Sequence, residues 1–442
     1  MNSVTQARTG EIRIGSVTAL ELLLDCLRAA RVGRVYGLEP GIDPALLPLL
    51  ADATGRLGGG PGAALLEGQV LRLSTRPGGE AEPVVVGTPA EIPLAVARAA
   101  VQVGGDVPET ALLQLNVDLD GPAPDGVRPT GLAMADKGFA MELPAGERVV
   151  VLAGPGVLRT GAVAALRDLA AAAALGVVNT WGAKGVFDWR SDHHLGTAGL
   201  QERDFELCGF ADVDLVIGFG VDPAESPRER WALTRAHELS GYQLRALTGM
   251  PTRDALPIPR TELFGALAAV VQPLYRDDAV PMSPGRVVAD LSTAIGDGGL
   301  VVADPGPAGL WVARAFPTSE LGSVVVPATV APGFAAAAAL AAKLREPHRR
   351  VVAVTTAPLD PVTEAVVDEA RRLKAGFLLE AWGEAGGLST VDEHADAVAL
   401  ALDSVDPVVL PVPVDWSHTR RLVDVAGGVV AWPELPRAVF DA

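Results

Sequence analysis

Six histidines and two cysteines are the side chains in this 442-residue chain best suited to metal or nucleophilic chemistry, and their spacing argues against both. His193 and His194 are adjacent and the other four are scattered. No His, Cys, Asp or Glu set has the ligand spacing of a zinc site, so no metal ligand is assigned and the pair reads as part of a loop. No serine sits in a Gly-x-Ser-x-Gly nucleophile turn. Cys26 and Cys208 lie among apolar residues, which predicts buried, reduced thiols. One further signal is Gly154-Pro155-Gly156, a turn between an apolar run and a helix. Such a turn could meet a nucleotide phosphate with its N–H groups, or be purely structural.

Charge narrows the partners. The formal net charge is −18, and nucleic acids and anionic membranes are bound through basic surfaces, so neither is expected. The length suits two or three domains, each with its own core. Residues are 49% hydrophobic and only 5% aromatic, a composition fitted to parallel strands between Ala-rich helices. Residues 321–342 carry no charge, but Pro327, Pro332 and Gly333 interrupt them. A loop followed by a buried helix is expected there, not a membrane span. The N-terminus shows no basic-then-apolar signal, so a soluble, cytoplasmic protein is expected.

The elements that would position any site fall into three α/β blocks, 1–130, 145–270 and 283–442. In the first, Thr18 and Glu21 form a capping box ahead of a helix over 18–31 with an apolar Leu stripe. The strand Val35–Leu38, the turn Pro40-Gly41, a glycine passage at 58–62, a strand at 83–87, a helix over 91–103 and a strand at 111–117 follow. In the second, the apolar strand 148–153 turns through Gly154 into a helix over 161–175, which Gly176 ends. Strands at 177–180 and 213–220 come next, and the proline-rich stretch 251–284 reads as a linker. In the third, strands are expected at 300–304, 350–355, 376–380 and 407–412. A small-residue helix over 333–344 and a helix over 361–374, capped by Asp360 and closed by Gly376, lie between them. Repetition of strand, glycine turn and helix predicts doubly wound parallel sheets.

The middle block holds, in order, Val151-Leu152-Ala153-Gly154-Pro155-Gly156-Val157, Asn179-Thr180-Trp181-Gly182-Ala183-Lys184-Gly185-Val186, Asp192-His193-His194-Leu195-Gly196 and 211–225. This set resembles the central domain of thiamine-diphosphate (ThDP) enzymes of the acetolactate synthase type. The flanking blocks fall where that family has its pyrimidine-binding and diphosphate-binding domains. The resemblance therefore implies three doubly wound domains, with the first one shortened. Val301-Val302-Ala303-Asp304-Pro305-Gly306 resembles the family's strand ending in Asp-x-Gly, and the 333–342 helix its small-residue helix.

The family's Gly-Asp-Gly, whose Asp holds the Mg²⁺ of the cofactor diphosphate, falls on Thr356, Ala357 and Pro358. Its later Asn falls near Glu380 and Ala381, and Glu380 is expected as a lone exposed or capped carboxylate. The positions matching the diphosphate site are thus Asp304, Gly306, Thr356, Ala357 and Glu380, mostly degenerate. The family's catalytic Glu matches Glu67, ahead of a helix that Thr75 to Glu80 would break. The resemblance implies a protein without a Mg–ThDP site in its own third domain, working as a non-catalytic or site-completing subunit beside an active ThDP subunit. ThDP and Mg²⁺ would then come only through that partner. Association at least as a homo- or hetero-oligomer is expected, because the family builds its sites between chains. Two alternatives stay open. One is an active ThDP-dependent 2-oxo acid decarboxylase or carboligase with atypical cofactor binding. The other is a small-molecule or nucleotide-binding protein using the central domain, where some relatives hold FAD.

Overall fold

Short apolar runs between Ala-rich amphipathic segments favour parallel strands covered by helices on both faces. The structure, a computed structural model, describes residues 17–440 except 39–40, 59, 131–137, 145, 250, 253–258 and 384–385. The Pro40 half of the expected Pro40-Gly41 turn and part of the glycine passage lie outside the described residues. Among the described residues the strands form three five-stranded sheets in chain order.

The first sheet contains β1 (Val35–Tyr36), β2 (Gly62–Leu66), β3 (Val70–Ser74), β4 (Pro83–Val86) and β5 (Thr110–Leu115), in the order β1-β2-β3-β5-β4. It is not wholly parallel: β3 runs antiparallel to both β2 and β5. Gly68 (φ 69°) and Gln69 (φ 59°) take left-handed conformations, so the chain reverses and Val70 pairs with Leu66. A strand thus replaces the helix expected after Glu67. Arg72 on β3 is buried and anchors it, donating from Nε and Nη2 to the two carboxylate oxygens of Asp52, each at 2.9 Å.

The second sheet contains β6 (Val149–Ala153), β7 (Gly176–Thr180), β8 (His194–Ala198), β9 (Leu215–Phe219) and β10 (Ala236–Leu239), all parallel, in the order β10-β9-β6-β7-β8. The third contains β11 (Leu300–Ala303), β12 (Val324–Val325), β13 (Val351–Thr356), β14 (Leu378–Gly383) and β15 (Val408–Pro413), also parallel, in the order β12-β11-β13-β14-β15.

Several local expectations change. Gly176 does not end a helix but opens β7; the Val163–Ala172 helix closes through Ala174 in a left-handed conformation (φ 48°). A Cβ at Gly176 would run into Leu195, so the glycine serves strand packing. Lys374 (φ 55°), not Gly376, closes the Pro361–Leu373 helix, and Gly376 is required because a Cβ there would run into the carbonyl of Ser404. The stretch read as a linker holds the helix Glu262–Leu274, capped by Thr261, whose Leu263, Val271 and Leu274 are buried. Residues 334–342 of the Phe334–Arg345 helix are buried on every side, as expected for an uncharged small-residue helix. They pack against the third sheet and against the Leu47–Arg56 helix of the first block, in one shared core. No described helix is long and apolar enough to cross a membrane. Cys26 and Cys208 are both free and buried.

Candidate functional site

In the third sheet the strand order reverses between β11 and β13, and open α/β sheets bind ligands in the crevice at the carboxyl ends of such a pair. The chain brings four of its predicted residues there. Asp304 directly follows β11, Gly306 (φ 134°) starts the Pro307–Ala315 helix, Thr356 ends β13, and Ala357 comes next. The Ala308 N–H donates to Thr356 Oγ1 at 3.3 Å, which ties the two strand ends together.

Several polar groups at this crevice are already committed. Asp304 Oδ1 accepts from the Ala335 N–H at 2.8 Å, at the start of the small-residue helix. Burial pushes its carboxyl up to about 7, against the Ala335 and Thr355 hydrogen bonds. Asp360, the other acid close by, caps the Pro361–Leu373 helix, accepting from Val362 N, Thr363 N and Thr363 Oγ1 at 2.6 to 3.0 Å. Ala357 donates its N–H to the Trp382 carbonyl at 2.8 Å, and Pro358 has none to give. Mg²⁺ with a diphosphate needs carboxylate oxygens in near-octahedral array and free N–H groups for the phosphate. Ala357 and Pro358 offer that group neither a ligand oxygen nor a free N–H.

Glu380 is neither exposed nor lone. It is fully buried in the middle of β14 and faces the helices Pro284–Ile295 and Val391–Leu402, away from the crevice end. Its Oε2 accepts from Trp382 Nε1 at 2.7 Å and its Oε1 pairs with His394 Nε2 at 2.9 Å. His394 Nδ1 reaches Asp290 Oδ2 at 3.0 Å. Burial works against a charge on His394, but Glu380 and Asp290 outweigh it and raise its pKa to about 9. Glu380 is therefore one end of a buried acid–imidazolium–acid staple. Sequence reasoning missed His394, although it stands between Val391 and Val398 on the apolar stripe of its helix, where a polar residue calls for a partner.

Glu67 belongs to the first sheet and stands exposed at the β2–β3 reversal, directly after the carboxyl end of β2. It is not gathered with the third-sheet residues.

The reversal point of the second sheet, between β6 and β9, is closed by backbone. Gly154 and Gly156 donate their N–H groups to the carbonyls of Phe219 and Gly220, both at 2.9 Å. A Cβ on Gly220 would lie 2.7 Å from the Gly156 backbone. The Gly-Pro-Gly turn thus serves close packing, and its amides are not free for a phosphate. Beside it, Glu225 is buried, accepting from Thr180 Oγ1 at 2.5 Å and facing Arg56 of the first block at 3.6 Å. Burial and the neighbouring Asp222 push its carboxyl upward.

Comparison with known proteins places these features. Residues 138–236 match the family profile described as thiamine pyrophosphate enzyme, central domain. Among solved structures the chain is similar to a protein isolated from Mycobacterium smegmatis and assigned as thiamin diphosphate-dependent, with a TM-score of 0.61 and 16% identity over 90% of this chain and 99% of that one. No curated protein sequence matches the chain. The profile covers the second sheet through β10, and the structural likeness extends the fold over the flanking blocks. Residues 138–236 thus form a central domain of the thiamine-diphosphate enzyme type, and the chain shares a fold with that structure over most of its length.

Proposed function

We propose that this chain is a ThDP-enzyme homologue that holds no Mg–ThDP of its own and works as a non-catalytic or site-completing subunit beside an active ThDP-binding chain. The observation that carries the reading is the end of β13. There Ala357 supplies a methyl where a ligand oxygen is needed, its N–H is committed to Trp382, and Pro358 has none. Asp304 and Asp360 are engaged by helix N-termini, and Glu380 is turned away and held by His394. Glu67, exposed at the carboxyl end of a strand, is free to reach a partner's site.

Calorimetric titration of the isolated chain with ThDP and Mg²⁺ tests the cofactor half of this reading. No heat of binding is expected; saturable binding in the micromolar range would restore the alternative of an active decarboxylase or carboligase. Purification from the native host tests the subunit half. A second chain carrying Gly-Asp-Gly is expected to accompany this one, and a homodimer alone would overturn it.

A further inference from the structure

Only four of the 36 cationic residues in the chain are lysines, and Lys184 is 94% buried, with a relative exposure of 6%. It lines a cavity of about 100 Å³ between β8, the Glu262–Leu274 helix and the Pro307–Ala315 helix. Arg314 and His194, the groups within electrostatic reach of its ammonium, line the same cavity.

Neither neighbour offers a counter-charge. Arg314 is committed to Asp204 through two contacts at 2.5 and 2.7 Å, to Gln201 Oε1 at 3.1 Å and to the Thr197 carbonyl at 2.8 Å. That pair is neutral as a unit, and Asp204 is spent on it. His194 packs edge-on against Phe264, and its buried Nδ1 has no hydrogen-bond partner. Burial, with Arg314 adding to it, pushes Lys184 down to about 7, while burial and Lys184 push His194 down to about 4. The opposite wall is apolar, formed by Leu267, Val271 and Phe316 among others.

A lysine solvated by trapped water is the plain alternative. Water, however, gains nothing from an apolar wall, and a cationic head left without an anion at neutral pH costs stability that arginine–carboxylate pairing avoids elsewhere in this chain. The dimensions also limit the occupant. A cavity of ~150 Å³ holds the six carbons of benzene, so about 100 Å³ takes roughly four heavy atoms, and the end of a slightly longer ligand reaches the open mouth of the cavity. One uncompensated cation calls for one negative charge, and a phosphate dianion would bring an excess charge into a low-dielectric space.

We infer that this cavity binds a small organic monocarboxylate, with its carboxylate against Lys184 and its short alkyl chain against Leu267, Val271 and Phe316. The site is separate from the β11–β13 crevice and does not depend on ThDP. It is an anion site of the central domain that reaches the third, so its occupant would bridge the two blocks.

Calorimetry on the full chain, without ThDP, decides the matter. Butyrate is the probe, butyramide its uncharged counterpart and inorganic phosphate the anion without an apolar part. Butyrate is expected to bind at least about tenfold more tightly than either. At pH 8 its binding should take up protons, seen as a dependence on the ionisation heat of the buffer, because the bound anion restores the charge on Lys184. Lys184→Met should weaken butyrate binding about tenfold or more and abolish the proton uptake, whereas Lys184→Arg should bind without it. Equal affinity for butyrate and butyramide, equal affinity for phosphate, or no butyrate binding at millimolar concentration would each overturn the assignment. Unchanged butyrate binding by a folded Lys184→Met would do so as well. Should both variants fail to fold, the three-probe comparison and the proton uptake of the wild-type chain still decide it.

Discussion

His394 is charged inside the third domain because Glu380 and Asp290 face it from two sides at 2.9 and 3.0 Å. Its folded pKa, about 9, lies above the ordinary 6.5. The stabilisation is therefore full below pH 6.5 and is lost as pH rises through about 9. The shift corresponds to roughly 3 kcal/mol as an upper figure. Denaturant unfolding at pH 6.5 and 9.5 should show the stability advantage of the wild type over His394→Gln shrinking across this window. An equal slope in both would remove the staple from the account. Lys184 acts in the opposite direction. Its pKa of about 7 lies below the ordinary 10.5, so the unfolded chain binds the extra proton between those values and the penalty eases as pH rises. Lys184→Met should consequently raise stability at pH 6 more than at pH 10. The two residues offset each other in the wild type, and only the single variants separate them.

Among the elements, the strand ends carry the functional reading. Ala357→Asp alone is expected to leave Mg–ThDP binding undetectable by calorimetry, because the amide at 357 still bonds Trp382 and Pro358 still lacks an N–H. Recovery of binding by that single change would mean that only one oxygen was missing. In the central sheet, Gly220 combines φ 56° with backbone 2.7 Å from where a Cβ would sit. Gly220→Ala should cost about 2–4 kcal/mol in unfolding free energy, through strain and a forced separation of β6 from β9. Local signals made many elements legible. The Thr18–Glu21 box forms as spelled, and Asp360 caps its helix. The β2–β3 reversal is the exception: Gly68 and the alternation from Leu71 to Ser74 mark it, but the family resemblance implies a helix there.

At the scale of the whole molecule, the first and third blocks share a core where the Leu47–Arg56 and Phe334–Arg345 helices meet. Ala338 is fully buried in it. Ala338→Leu should overpack this contact, costing about 1–3 kcal/mol and lowering the melting temperature. Unchanged melting would show that the two helices can part without loss. The sequence alone determined the three α/β blocks, the apolar strands and the absence of a ligand oxygen at Ala357, since these follow from residue type and periodicity along the chain. It could not place Glu380, because whether a carboxylate in a strand faces solvent, a crevice or a histidine depends on which helix crosses that face. Nor could it isolate Lys184, one residue in a family-like loop, which among the described residues has no ion-pair partner and lies beside a cavity formed only when β8 and two distant helices come together. Local order is written in spacing; the pairing of buried charges is decided by what the folded chain brings beside them.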